Sequence, residues 1–136
     1  MPIMTWDQSL DIGVSAMNDD HKQILDAMNR IHAATEAGRT GEEINRLVSR
    51  LGEICVAHFK DEESYMASID FPGLPNHKFV HVALLERYAE HAAQIRSAGG
   101  RTDQSFFHFL RHWLTAHIKG IDVKYGEHAA KRTRAA

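Results

Sequence analysis

The sequence predicts an all-α protein, an up-down-up-down four-helix bundle preceded by an extended N-terminal arm. Three observations predict it. Apolar residues recur at three- and four-residue spacing in four segments of the 136-residue chain. The breaks between these segments carry turn and capping residues, and they are short, which favours antiparallel neighbours. With 43% hydrophobic and 25% charged residues, the composition is that of one globular domain with its own core, which excludes disordered and collagen-like chains.

Residues 1–17, with Trp6 and the alternation Leu10, Ile12, Val14, form an arm lying over the bundle. The bundle occupies 18–130. Its first helix opens at Asn18 as N-cap, with Asp19 and Asp20 in the first turn, carries Ile24, Leu25, Met28 and Ile31, and stops near Gly38. The second begins at Thr40, where Thr40-Gly41-Glu42-Glu43 has the form of a capping box. It runs through Ile44, Leu47, Val48, Leu51, Ile54, Phe59 and Met66 and ends before Phe71-Pro72-Gly73-Leu74-Pro75. Pro75 suits the first turn of the third helix, which carries Phe79, Leu84, Leu85, Tyr88 and Ile95 up to Gly99-Gly100. Thr102 or Asp103 caps the fourth, which buries Phe106, Phe107, Leu110, Trp113 and Leu114 and weakens around Gly120. A basic tail, 131–136, frays from Lys131 to Arg134.

Charge and cysteine narrow the chemistry. A net charge of -2 supplies no electrostatic reason for a nucleic-acid or anionic-membrane partner. No run approaches the roughly 18 apolar residues of a membrane span, and Met1 to Leu10 lacks the basic flank and apolar stretch of an export signal. A cytoplasmic location is the expectation. The single cysteine, Cys55, excludes an internal disulfide and any Cys-x-x-Cys chemistry, so a metal here must use histidine and carboxylate. Histidine is abundant: there are ten.

Two pairs have i, i+4 spacing on helices that place them on one face, His58 with Glu62 and His77 with His81. His108 with His112 has the same spacing. Position in the bundle separates them. His21 starts helix one, His58 and Glu62 end helix two, His77 and His81 start helix three, and His117 ends helix four, which in an antiparallel bundle is one layer. His117 shares the inward face of Leu110, Trp113 and Leu114, whereas His108 and His112 lie about 180° and 140° from it and point outward. Asp122 follows His117 by five residues, a rotation of about 140° on a regular helix, so it joins the layer only if the helix deforms near Gly120.

The layer thus holds five histidines, His21, His58, His77, His81 and His117, with the carboxylates Glu62 and Asp122. Buried carboxylates are costly unless paired or bound to cations. With both carboxylates bridging two metals and a further bridging oxygen, donors make about eleven bonds, one short of two octahedra. A single zinc needs only about four donors and would leave the rest unexplained.

The order His21, His58-x-x-x-Glu62, His77-x-x-x-His81, His117-x-x-x-x-Asp122 closely resembles the hemerythrin family in its single-domain bacterial form, over nearly the whole chain from Trp6 to Tyr125. Two departures are visible: Met17-Asn18-Asp19-Asp20-His21 replaces the family's usual Ile-Asp-x-Gln-His, and Phe71 replaces a tyrosine before the proline. The resemblance implies two iron ions, oxo- or hydroxo-bridged, that bind O2 reversibly for storage, delivery or sensing. It implies that His77, His81 and His117 hold one iron, His21 and His58 the other, and that Glu62 and Asp122 bridge them. The iron with two histidines would keep the open position for O2. An apolar pocket of Leu25, Trp113, Leu114 and Ile118 would exclude water there. Histidine-rich ligation supplies less negative charge than four-carboxylate sites, a tendency toward reversible binding over oxygen activation.

The remaining histidines have blander readings. His32 and His91 sit too far along their helices to reach the layer and are expected to be structural, and His128 is expected to be solvated. Cys55, Met28 and Met66 read as core. The competing function is a di-iron enzyme consuming peroxide or NO. A physiological partner, whether an oxygen-using enzyme or a signalling protein, is not identified by any motif.

Overall fold

A computed structural model describes residues 3–135. Its helices are α1 (Ser15–Glu36), α2 (Glu42–Ser68), α3 (Leu74–Ser97) and α4 (Gln104–His117), the last continuing through a π-helical turn at Ile118–Asp122 into α5 (Val123–Ala135). Each helix buries a stripe with residues three or four apart: Ile24, Met28 and Ile31 on α1, Ile44, Val48 and Leu51 on α2, Phe106, Leu110 and Leu114 on α4. α3 contributes Tyr88 and Ile95. No helix among the described residues is long and apolar enough to cross a membrane.

Two sets of contacts fix the antiparallel order. At one end Gly41 N donates to Gly99 O (2.9 Å), joining the α1–α2 and α3–α4 connections. Gly41 and Gly100 lie there backbone against backbone, with φ of 72° and 79°. A Cβ at position 100 would stand 2.3 Å from Gly41 O, so only glycine fits. At the other end Arg132 donates to Ile69 O (2.6 Å) and Asp70 Oδ2 (2.9 Å), closing α5 over the α2–α3 turn. The starts of α1 and α3 and the ends of α2 and α4 therefore share that second end.

Several local expectations are corrected. Asn18 does not cap α1, which starts three residues earlier with Val14 at the N-cap; Asn18 Oδ1 instead accepts from Ile12 N (3.1 Å) and Nδ2 donates to Asp11 (2.8 Å), tying down the arm. Thr40 forms no capping box, because Gly41 is the N-cap residue and its close approach to Gly100 sets that turn. Glu42 and Glu43 still place negative charge in the first turn. Phe79 is 73% exposed: it lies about 200° around α3 from His77, off the buried stripe. Phe107 is only half-buried, and Phe109 joins the core instead. The basic tail is helical through Ala135, anchored by Arg132.

Other expectations match. Pro75 lies in the first turn of α3, and Asp103 caps α4 by accepting from Phe106 N (3.0 Å). Leu10 and Ile12 of the arm are buried, Leu10 at the end of a short 3-10 turn, Gln8–Leu10, that follows Trp6. Ile12 crosses α5 at Gly126, where a Cβ would come within 2.2 Å of Ile12 O.

Candidate metal centre

All seven residues of the sequence-derived layer are buried at the closed end of the bundle. α1 supplies His21, α2 supplies His58 and Glu62 one turn apart, α3 supplies His77 and His81 in its first two turns, and α4 ends on His117. The π-turn brings Asp122 back to the same face, with Oδ1 3.0 Å from His117 Nε2. A Cβ at Gly120 would meet nothing, so the irregularity is not a space requirement of that glycine.

Each carboxylate divides its two oxygens between two groups of histidines. Glu62 Oε1 lies 2.8 Å from His81 Nε2, 3.2 Å from His77 Nε2 and 3.8 Å from His117 Nε2. Glu62 Oε2 lies 3.1 Å from His58 Nε2 and 3.6 Å from His21 Nε2. Asp122 Oδ1 faces His77 (3.1 Å) and His117 (3.0 Å), while Oδ2 faces His21 (3.1 Å). The result is two buried clusters, Glu62-His77-His81-His117 and His21-His58-Glu62-Asp122, each with ligand atoms within 4.8 Å of one another.

These donors fit metal ions. His21 Nε2, His58 Nε2 and both Asp122 oxygens are buried without an aligned hydrogen bond, although ion-pair distances are short. They aim at shared space rather than at each other. Buried polar atoms are normally satisfied, and cations placed there would satisfy these.

Partners behind the rings set which nitrogen faces the centre. His58 Nδ1 lies 2.9 Å from Asp20 Oδ2, and His81 Nδ1 lies 2.8 Å from Glu63 Oε2. A carboxylate there holds the proton on Nδ1 and leaves the Nε2 lone pair inward, the usual support for a ligating histidine. Tyr125 on α5 donates to Glu62 Oε2 (2.7 Å). Burial and the Glu62 and Asp122 charges push its phenol above the usual range, so it stays a donor. Phe59 stacks on His81 with centroids 3.8 Å apart and planes at 8°. Asp20 stands out in the sequence only as a negative charge beside His21, and the structure turns it to His58 instead; Glu63, Tyr125 and Phe59 were not singled out, and their only signal was a place within the resemblance.

The other histidines fall outside the layer. His108 and His112 are exposed. His32 pairs with Glu36 (3.1 Å), and His91 stacks on Phe109 (centroids 4.7 Å). His128 is not simply solvated: its Nε2 lies 2.9 Å from Ile69 O, part of the α5 anchor. Cys55 is buried, which pushes its thiol up to about 12 and leaves it unreactive. Leu25, Trp113, Leu114 and Ile118 are all buried, Leu25 one turn beyond His21 and the others within one turn of His117.

A sequence profile of the hemerythrin HHE cation-binding domain matches residues 12–129. The chain belongs to the hemerythrin family. It is 33% identical over 125 residues to myohemerythrin of Riftia pachyptila, covering 88% of each chain. It is 28% identical over 130 residues to bacteriohemerythrin of Stenotrophomonas maltophilia, covering 93% of this chain and 82% of that one. A crystal structure of wild-type hemerythrin superposes with a TM-score of 0.82 at 30% identity, over 91% of this chain and 95% of that one. The hemerythrin fold and a hemerythrin-like His/Glu/Asp site are thus properties of this chain.

In the metal-free protein the carboxylates change the titration of the imidazoles. Burial alone lowers the pKa of His21 and His117, but Asp122 and Glu62 more than offset it and raise both to about 9. Both carboxylates are in turn held below their ordinary range despite burial. A raised histidine pKa stabilises the metal-free fold fully below the unfolded value of 6.5, and this is lost as pH rises through about 9. Depressed carboxylate pKa values stabilise it above their unfolded range, and this is lost in acid. The same carboxylates also raise the pKa of His77 against its burial. Because ligating imidazoles must be neutral, adding ferrous ion anaerobically at about pH 7.5 is expected to release at least about two protons per chain. Weakly buffered titration with a pH indicator measures them; uptake with no release would contradict the paired, protonated state of His21 and His117.

Proposed function

We propose that this chain binds O2 reversibly at a di-iron centre, with His77, His81 and His117 holding one iron, His21 and His58 the other, and Glu62 and Asp122 bridging. The observation that carries this reading is the division of each carboxylate's oxygens between the two histidine groups, within a chain of the hemerythrin family. Two irons held there would supply a redox pair suited to reversible O2 binding.

The protein's own groups have separable roles in this reading. Asp20 and Glu63 keep the Nδ1 protons of His58 and His81 and so present Nε2 inward. Tyr125 restrains Glu62 in its bridging orientation. Leu25, Trp113, Leu114 and Ile118 form an apolar surround that keeps water from the ligand side and so slows loss of the reduced state. Delivery to an oxygen-using enzyme, storage and sensing remain alternative uses of the same chemistry.

Anaerobic reduction followed by air is the test. A visible charge-transfer band that rises with O2 and falls on deoxygenation, through repeated cycles, is the expected result. A band lost irreversibly with turnover of peroxide or NO would replace the carrier with the enzyme. Protein carrying one zinc and no iron after iron-replete expression would overturn the assignment.

A further inference from the structure

Eight of the ten histidines have a partner: five in the ligand layer, His32 on Glu36, His91 on Phe109 and His128 on Ile69 O. His108 and His112 make no hydrogen bond, ion pair or ring contact among the described residues. Both are exposed, and both lie in the regular part of α4, clear of the π-turn at Ile118–Asp122. A spacing of four on a regular helix sets them about 40° apart around the axis and about 6 Å apart along it. Two imidazoles so placed reach a single ion, and here neither has a partner to give up first.

The surroundings select the ion. α4 carries no aspartate or glutamate, and Arg111 lies within one turn of both histidines. Mg2+ and Ca2+ require oxygen ligands, which two imidazoles beside a guanidinium do not supply. Imidazole suits Cu2+, Ni2+ and Zn2+, and Cu2+ heads the affinity order for nitrogen donors, with Fe2+ well below it. His108 borders a groove of about 240 Å³ with Gln104, Phe107 and Arg111, and His112 borders one of about 220 Å³ between α3 and α4. Solvent thus flanks the pair, and an ion held by two ring nitrogens keeps water at its remaining positions.

We propose that His108 and His112 form a second metal site, a surface chelate of two imidazoles for a borderline divalent cation, with Cu2+ preferred over Ni2+ and Zn2+. The site shares no residue with the buried layer and lies on the opposite side of α4 from His117, so it does not depend on which ions fill that layer. The two sites differ in chemistry as well as place. The buried one adds two carboxylates to its histidines, whereas the surface one offers neutral nitrogen alone.

Copper titration followed by electron paramagnetic resonance tests the site. Cu2+ is added to the full chain after iron loading and oxidation in air, so that the buried layer is already filled. The first equivalent is expected to show coupling to two imidazole nitrogens. His108→Ala and His112→Ala are each expected to weaken that binding by at least about tenfold and to leave coupling to one nitrogen, because loss of either ring ends the chelate. Iron content and helical circular dichroism are expected to stay at wild-type values, since both residues are exposed and outside the layer. His108→Gln and His112→Gln serve if an alanine variant misfolds. Excess Mg2+ is expected to leave the copper signal unchanged. Coupling to a single nitrogen in the wild type, or unchanged affinity for the first equivalent in either variant, would overturn the proposal.

Discussion

Glu62→Ala is expected to reduce the protein from two bound irons per chain to one or none, measured by elemental analysis of protein loaded anaerobically with ferrous ion. Glu62 is the one residue common to both clusters. Its Oε1 serves the group of His77, His81 and His117, and its Oε2 serves His21 and His58. Without it, the two groups are joined only through Asp122, and Tyr125 loses the acceptor 2.7 Å away. Buried histidines would then face one carboxylate instead of two, so the second ion would lose both a ligand and half of the local compensating charge. Glu62→Gln separates this from a packing defect. It keeps the side chain's shape but offers one neutral carbonyl oxygen and an amide nitrogen that does not ligate, so it is also expected to fail at two-ion loading while retaining the helical fold. Two irons bound stoichiometrically in both variants would refute the bridging role.

The ligand layer was legible in the sequence because it rests on periodicity. Spacing of four on α2 and α3 fixes which side chains share a face, and an antiparallel order fixes which helix ends meet, whatever the details of the turns. Helix starts were less legible because they depend on contacts remote in sequence. Asn18 is a good capping residue by type, yet its amide bonds Ile12 and Asp11 of the arm. Thr40 begins a capping-box pattern, yet the turn is set by the backbone of Gly41 against Gly100. The same holds for the groups behind the ligands. Asp20 and Glu63 look like surface charges along their own helices, and only the neighbouring helix shows that each meets a ring nitrogen. His128 and Arg132 looked like a solvated end because their partner, the α2–α3 turn, lies some sixty residues back. Phe79 is the opposite case, an aromatic residue near a ligand in sequence but on the far side of the helix.

Inserting one alanine after Lys119 is expected to abolish two-ion loading, whereas deleting Lys119 is expected to preserve it. On a regular helix Asp122 lies about 140° from His117. The π-turn Ile118–Asp122 absorbs one extra residue, which returns Asp122 to the face of His117 and keeps α5 in phase with α4. Deletion removes that extra residue: the spacing becomes four, about 40° on a regular helix, and Tyr125, His128 and Arg132 keep their places. Lys119 is exposed, so no core contact is lost. Insertion adds a second extra residue and turns everything beyond it by about 100°. Asp122 then leaves the layer, Tyr125 leaves Glu62, and the anchor of His128 and Arg132 on Ile69 is broken at the same time. Iron content distinguishes the two variants, and thermal melting of the metal-free proteins shows whether the α5 anchor survives. Full loading of the insertion variant would mean that Asp122 is not a bridge. Loss of loading in the deletion variant would mean that the π-turn contributes something beyond the rotation it gives Asp122.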